Sequence, residues 1–364
     1  MELIKTEMTP KERLMAYDKG EEVDRIPAVL TLEETGALLY GIQIRDYYSN
    51  PELMVAVQSR IATDFGADNM GMAIGSRAVA EALGTELIFP DNSVSHTGKP
   101  AITTYDAIDT MPLIDIHTGG RIPVMIEGTK RLIEKFGTER IIGGGTEGPV
   151  TLAGFLVGVE RFLRDMIRCP EQVQKLLRYS VENVVTACTD VYHETGIKLG
   201  FSEPLISKNI LSPRFFQLFV VPALRETVAR LTEAYGEKPS MHACGIIHDR
   251  WDILVDLGFG SLSIDNKEDM GALRNRHGDA IGIVGNVDPV DVMRYGTPEM
   301  VTNDVIRCLR EAGDNPAGFT LCPGCDLPIG TPKENLIAFM NAAAIYGAGA
   351  RKGSLPKGLV KAGL

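Results

Sequence analysis

Apolar positions along the chain switch repeatedly between strand-like runs and helical spacing. From about residue 139, each short β-rich run ends in a polar residue, and an amphipathic stretch follows. The run ERIIGGGTEGPV (139–150) precedes Phe155, Leu156, Val159, Phe162, Leu163 and Met166, which share one face at helical period. A second helix is predicted from Pro170, because a proline in the first turn gives up no needed N–H. Its apolar stripe is Val173, Leu176, Leu177, Val181 and Val184. IKLGFSEP (197–204) reads as the next strand. Ser212-Pro213, an N-cap followed by a first-turn proline, starts the helix after it. The rhythm continues through KPSMHACG (238–245), SLSIDN (261–266), AIGIVGNVDP (280–289) and GFTLCPGCDLP (318–328), and the final helix begins near Thr331-Pro332. Upstream, RIPAVLT (25–31) and ADNMGMAIG (67–75) read as the first strands with a helix between them, and 85–125 as an inserted hairpin and loop.

Strand–helix alternation over this length predicts a parallel sheet with helices outside, either closed or doubly wound. No GxGxxG follows the first strand, which removes the main signal for an open dinucleotide-binding sheet. The expected fold is therefore α/β, a single (β/α)8 TIM barrel over residues 1–364 with a short N-terminal extension and the inserted hairpin segment. A length of 364 residues suits one such barrel. With 12 Phe, 10 Tyr and one Trp, its packing must rest on aliphatic side chains and Met.

No run approaches the roughly 18 apolar residues of a membrane span, and the charged N-terminal stretch lacks a signal-peptide apolar segment. A cytoplasmic protein is expected. The net charge of -11 argues against nucleic acid as a partner, since phosphate binding needs a cationic footprint. In a reducing compartment the six cysteines are core residues, metal ligands or reactive thiols rather than a disulfide framework.

The predicted strands end in residues of one kind: Glu147, Glu203, His242 with Cys244, Asp265, Asn286 with Asp288, and Cys325. In a barrel all strand C-termini open onto one mouth, where catalytic groups collect. Residues i and i+2 leaving a strand face the same side, so the His242 imidazole and the Cys244 thiol can share an ion. Cys325 arrives from the last strand. Two thiolates and an imidazole suit Zn²⁺ and leave a fourth position for substrate, with Asp265 as a weak ligand that substrate could displace. Two other readings stay open. Cys322 and Cys325 form a C-x-x-C that would serve redox chemistry, and His242, Cys244, Cys322 and Cys325 would make a closed structural site. Glu147 would either contact substrate or cap the following helix, and Glu203 is similar. Gly143, Gly144 and Gly145 lack the ending of a P-loop, so their expected purpose is to let something large approach the backbone. Cys169, Cys188 and Cys308 fall in predicted helices, as core residues. His248 and His277 read as surface or helix residues, and His96, His117 and His193 have no identifiable partner.

The chain resembles the uroporphyrinogen decarboxylase superfamily. The stretches that carry the likeness are EGPVTLAGFLVGVERFLRDMIRCPEQVQKLL, SEPLISKNILSPRFFQLFVVP and PGCDLPIGTPKENLIAFM, with MTPKERLMAYDKGEEVDRIP and DFGADNM upstream. Decarboxylases of the family carry an arginine-rich segment after the first strand and an aspartate after the second. Here those places read LTLEETGALLYG and MGMAIGS, without the counter-charges for a substrate of many carboxylates.

What stands instead resembles the methylcobamide:coenzyme M methyltransferase branch, whose zinc ligands lie in an H-x-C motif and a later PGC-x₅-TP. The resemblance implies zinc on His242, Cys244 and Cys325, and implies transfer of a methyl group from a methylcorrinoid to a thiol such as coenzyme M. Glu147 and Asp265 would take part in catalysis, and Gly144, Gly145 and Asn286 would contact the corrinoid. The partners so implied are a small corrinoid protein, a small thiol and a second copy of the chain, with neither nucleic acid nor membrane. Two alternatives keep the fold: demethylation of a donor such as an aryl methyl ether onto a corrinoid protein, and heme-pathway decarboxylation. The cysteines count against the first, because its enzymes rely on carboxylate and His ligands.

Overall fold

The computed structural model describes every residue except 1, 33, 72–76 and 92. Its barrel strands are β1 (Met70–Gly71), β2 (Ile142–Gly143), β3 (Gly145–Glu147), β4 (Gly200–Ser202), β5 (Ser240–Ala243), β6 (Ser261–Ile264), β7 (Gly282–Val287) and β8 (Phe319–Pro323). β3 to β8 form one parallel sheet in chain order, and β1 pairs in parallel with β2, which leads through Gly144 into β3. The ring closes through residues 27–30. Val29 N–H donates to Leu321 O and Leu321 N–H to Pro27 O, both at 2.9 Å, around a parallel bridge from Ala28 to Leu321. On the other side, Asp68 N–H donates to Ala28 O, and the Asn69 amide bonds both N–H and C=O of Leu30. Counting β2 and β3 as one stave, the result is the expected eight-membered barrel.

Strand alternation sorts the side chains. On β5 and β6 the outward residues Met241, Ala243, Leu262 and Ile264 are buried under the helices, while Ser240, His242, Ser261 and Ser263 turn into the barrel. TIM barrels ordinarily fill this space with Val, Ile and Leu. Here Gly145, Gly200, Ser240 and Ser261 line it, and a cavity of about 340 Å³ remains below the mouth. Ser261 and Val284 also border a second cavity, of about 410 Å³, at the opposite end of the barrel.

The N-terminal extension is tied down by charge. A capping box of Thr9 and Glu12 opens the helix Pro10–Asp18. From it, Arg13 reaches Asp68 at 2.5 Å, and Arg25 reaches the same carboxylate at 2.6 Å. Asp68 also accepts Ala28 N–H at 2.8 Å and is fully buried.

Four local readings need correction. Phe155 to Met166 is not one helix but two, Pro149–Val157 and Val159–Arg168. Gly158 sits between them at φ +87, a left-handed value that breaks the backbone ladder while both pieces keep their apolar sides on the core. Ser212 does cap its helix, its hydroxyl accepting Phe215 N–H at 3.3 Å, but the helix widens to a π-turn over Phe216–Val220 before Val221–Tyr235. The inserted segment contains the hairpin Leu87–Ile88 with His96–Thr97 as expected, yet a helix, Ile122–Phe136, already begins inside it. Of ADNMGMAIG, only Met70–Gly71 is strand, and 72–75 lie outside the described residues. Among the described residues no helix is long and apolar enough to cross a membrane.

Candidate metal centre

His242 and Cys244 leave β5 on the same side, and Cys325 follows the end of β8, across the mouth. His242 Nε2 lies 3.1 Å from Cys244 Sγ and 3.9 Å from Cys325 Sγ, and the two sulfurs are 3.8 Å apart. Zn–S bonds near 2.3 Å and Zn–N bonds near 2.05 Å at the tetrahedral angle give edges of about 3.8 Å for S–S and about 3.6 Å for N–S. The S–S edge matches one face of such a tetrahedron, the His242–Cys325 edge is slightly longer, and the His242–Cys244 edge is about 0.5 Å shorter. Among the described residues these three form the cluster able to hold an ion. All three line the inner cavity. Donor set and geometry both fit zinc.

Gly245 makes the turn that releases Cys244 from the strand. Its φ is +70, and a Cβ there would sit 2.8 Å from the Ser207 hydroxyl. The imidazole is fixed from behind. His242 and Ser263 are register partners on β5 and β6, and Ser263 Oγ lies 2.9 Å from His242 Nδ1. With Nδ1–H donating to that hydroxyl, Nε2 keeps its lone pair for a metal. Within the triangle, the Cys325 thiol is held well below the usual thiol range, chiefly by the hydrogen bond from Cys244 and also by the His242 ring, against burial. The Cys244 thiol, as partner in that bond, is pushed up. One soft anion is thus already favoured where a cation would bind.

The acidic strand ends lie elsewhere than expected. Glu147 is fully buried. Its carboxylate accepts Ala80 N–H and the Thr146 hydroxyl, both at 2.8 Å, and burial pushes its pKa up. It therefore caps the helix at Ala78–Ala82, not the one that follows it, and does not line the cavity. The following helix is capped by Glu203, which accepts Val150 N–H, Thr151 N–H and the Thr151 hydroxyl. Asp265 accepts Gly245 N–H and Lys267 N–H and stands outside the ligand triangle. Asn286 is fully buried, its amide donating to the carbonyls of Asp265 and Glu268, so its side chain braces the loop after β6 rather than facing a ligand. Gly144 and Gly145 do line the cavity. Gly143 has open space around its Cα, and the nearest atom to a Cβ at Gly145 would be 3.6 Å away, so close packing is not what these glycines serve.

Cys322 is buried on β8 and is absent from the metal cluster, which removes the closed four-ligand site. Cys188 and Cys308 are core residues of helices as expected, whereas Cys169 is the junction between two helices. His117, read as unpartnered, approaches Glu194 at 3.6 Å. Two residues of the site escaped the sequence reading. Ser263 had a legible signal, the alternation of SLSI beside the His242 strand. Asp326 lines the cavity next to Cys325; its carboxyl is pushed up to about 6, first by withdrawal from bulk water and then by the Cys325 charge.

Residues 9–346 match the family profile described as uroporphyrinogen decarboxylase (URO-D). The chain belongs to the uroporphyrinogen decarboxylase family. Within that family, a methylcobamide:CoM methyltransferase of Methanosarcina barkeri is 26% identical over 348 residues, covering 94% of this chain and 99% of the relative. A methylated-thiol–coenzyme M methyltransferase of Methanosarcina mazei is also 26% identical, over 93% of this chain and 89% of its own length. A uroporphyrinogen decarboxylase of Parasynechococcus marenigrum is 23% identical over 90% of this chain and 95% of its own. Among solved structures, a methyltransferase from Methanosarcina mazei superimposes with a TM-score of 0.81 at 25% identity, covering 93% of this chain and 98% of that one. The URO-D barrel is thus the frame, shared with methyltransferases and decarboxylases alike.

Proposed function

We propose that this URO-D family protein is a zinc-dependent methyltransferase that moves a methyl group from a methylcorrinoid to a small thiol. The observation that carries the reading is the His242–Cys244–Cys325 triangle with its open side on the cavity. His242, Cys244 and Cys325 would hold zinc, which would supply a Lewis acid able to lower the pKa of a bound thiol toward neutral pH. In the overall exchange an S–C bond forms, the Co–C bond of the methylcorrinoid breaks with its electron pair remaining on cobalt, and the thiol proton is released.

The chain's own residues prepare the encounter. Ser263 fixes the His242 tautomer, Gly245 turns Cys244 toward the mouth, and the inward glycines and serines leave room for the acceptor beside the ligands. Gly144 and Gly145 let a large partner approach the backbone. The gain expected of the protein is placement, because two reactants must meet end-on at one sulfur. The corrinoid is brought by a separate small protein.

The test is direct. Replacing Cys244 or Cys325 by Ala should drop bound zinc from one equivalent toward none by elemental analysis, and should abolish methylcobalamin-dependent thiol methylation. Full zinc occupancy in both variants would refute the ligand assignment.

A further inference from the structure

Coenzyme M, the acceptor that the resemblance implied, ends in a sulfonate. A buried or half-buried sulfonate needs cations or free N–H donors. The cavity beside the ligand triangle is lined by hydroxyls, glycine backbone and a few apolar side chains, with neither Lys nor Arg among them. The residues outside the described set include no Lys or Arg either. The charged side chain that does line the cavity, besides the ligand residues, is Asp326. A cation that Asp326 senses, Arg77, is paired with Glu34 at 3.7 Å.

Among the described residues, several backbone donors around the mouth are also taken. Helix N-termini at a barrel mouth are natural anion sites, but here acidic side chains of the chain itself fill them. Glu203 occupies Val150 N–H and Thr151 N–H, Asp288 occupies Val290 N–H and Asp291 N–H, and Glu147 occupies Ala80 N–H. Asp265 and Glu268 do the same for the turn after Cys244, at Gly245 N–H and Ile247 N–H. The acidic strand ends thus accept hydrogen bonds from these N–H groups, which are not free for an external anion.

We infer that the methyl acceptor of this enzyme is a short thiol with an uncharged or cationic tail, and that Asp326 is the residue that selects it. The inference rests on the thiol-methylation reading above. Once sulfur is held at the open side of the triangle, the tail must lie in the cavity, beside the Asp326 carboxylate. An ammonium gains an ion pair there and a hydroxyl finds hydrogen-bond partners. A sulfonate meets a like charge with no compensating cation.

Three two-carbon thiols that differ only in the tail separate these cases: cysteamine, 2-mercaptoethanol and 2-mercaptoethanesulfonate. Zinc-loaded protein is given methylcobalamin and each thiol in turn, and kcat/KM is read from anaerobic cob(I)alamin formation. Calorimetry without corrinoid gives the Kd of each thiol independently of turnover. Cysteamine and 2-mercaptoethanol should each exceed the sulfonate by about tenfold or more in kcat/KM and in affinity, the scale of one charge contact in a partly solvated site. In Asp326→Asn the variant-to-wild-type ratio, which cancels intrinsic thiol reactivity, should fall about tenfold for cysteamine and rise for the sulfonate. A wild-type preference for the sulfonate in both measurements, or an Asp326→Asn ratio equal for all three thiols, would overturn the inference while leaving thiol methylation intact. The wild-type ranking decides even if the variant fails to fold. If no thiol binds or is methylated, the underlying reading falls and this one with it.

Discussion

Removing the Ser263 hydroxyl tests whether the imidazole is held for metal binding or merely packed. Ser263→Ala deletes one oxygen from the cavity wall, leaves β6 and its pairing with β5 untouched, and strands His242 Nδ1 without its 2.9 Å partner. Two consequences follow for the ring. It regains the freedom to rotate about its terminal torsion, and the tautomer carrying the proton on Nε2, which cannot ligate, becomes accessible. Outer-shell hydrogen bonds to ligating histidines are typically worth 10- to 100-fold in metal affinity, or about 1.4 to 2.7 kcal/mol. Global stability should change little, by roughly 1 kcal/mol or less, because only one hydrogen bond is lost and the site is already open to the cavity. The assay is competition for zinc against a chelator of known affinity, run alongside urea denaturation. Ser261→Ala is the control. It removes a hydroxyl two residues earlier on the same strand, lining the same cavity but not bonded to the ring. The expected pattern is weaker zinc binding in Ser263→Ala alone. Equal zinc affinities in wild type and both variants would show that the Ser263 contact does not organise the ligand.

Other perturbations read different parts of the structure. An aromatic disulfide reagent should reach the partly exposed Cys169, Cys244 and Cys325, with Cys325 the fastest, and only Cys169 once zinc is bound. Cys188 and Cys308 are buried with thiols pushed up to about 12, and Cys322 is buried as well. Fast labelling of a fourth thiol in folded protein would contradict this packing. Asp68→Ala should cost roughly 3–5 kcal/mol in urea unfolding, because it leaves Arg13 and Arg25 buried without their shared anion. A loss under about 1 kcal/mol, the scale of an exposed pair, would mean that the cluster is solvated. Burial pushes the Glu203 carboxyl up to about 7, against three hydrogen bonds that favour its charge, from 4.5 in an unhindered chain. The native state then holds a proton that the unfolded state has lost, so stability should fall as pH rises from 4.5 to about 7. Glu203→Gln should flatten that slope in a pH series of denaturation midpoints, and an unchanged slope would assign it to other groups.

The barrel was legible in the chain because its signal is long-range and redundant. Every strand from 139 onward ends before a helical stripe, so small errors in single elements did not disturb the count. The errors that occurred have local causes. Gly158 permits a sharp backbone break that preserves the apolar side of both flanking helices, so periodicity alone runs straight across it. That His242, Cys244 and Cys325 come together was legible for a similar reason: residues two apart on a strand face one side, and all strand ends of a barrel open onto one mouth. The carboxylates were not, because one sequence pattern serves two purposes. An acidic residue at a strand end reads as catalytic in a one-dimensional view. Only the fold reveals that Glu147 points at the N–H of residue 80, and Glu203 at those of 150 and 151. Both partners belong to elements whose approach no spacing rule encodes. Asp326 was missed for the opposite reason, overshadowed by the more reactive cysteine beside it.

These internal caps also bear on how one frame can serve opposite chemistries. A decarboxylase acting on a substrate of many carboxylates must line its mouth with cations and unspent donors. In this chain the segment after the first stave supplies Glu34 instead, buried and accepting Ser95 N–H, with Arg77 drawn to it at 3.7 Å rather than left free for a ligand. The mouth donors at Gly245, Ile247, Val290 and Asp291 are spent on the chain's own carboxylates. What remains available inside is soft or weakly acidic: two sulfurs, an imidazole, serine hydroxyls, bare glycine backbone and the Asp326 carboxyl. An interior of that kind disfavours polyanions and suits the thiol chemistry proposed above. The charge pattern of the mouth, more than the barrel itself, is what separates this chain from a decarboxylase.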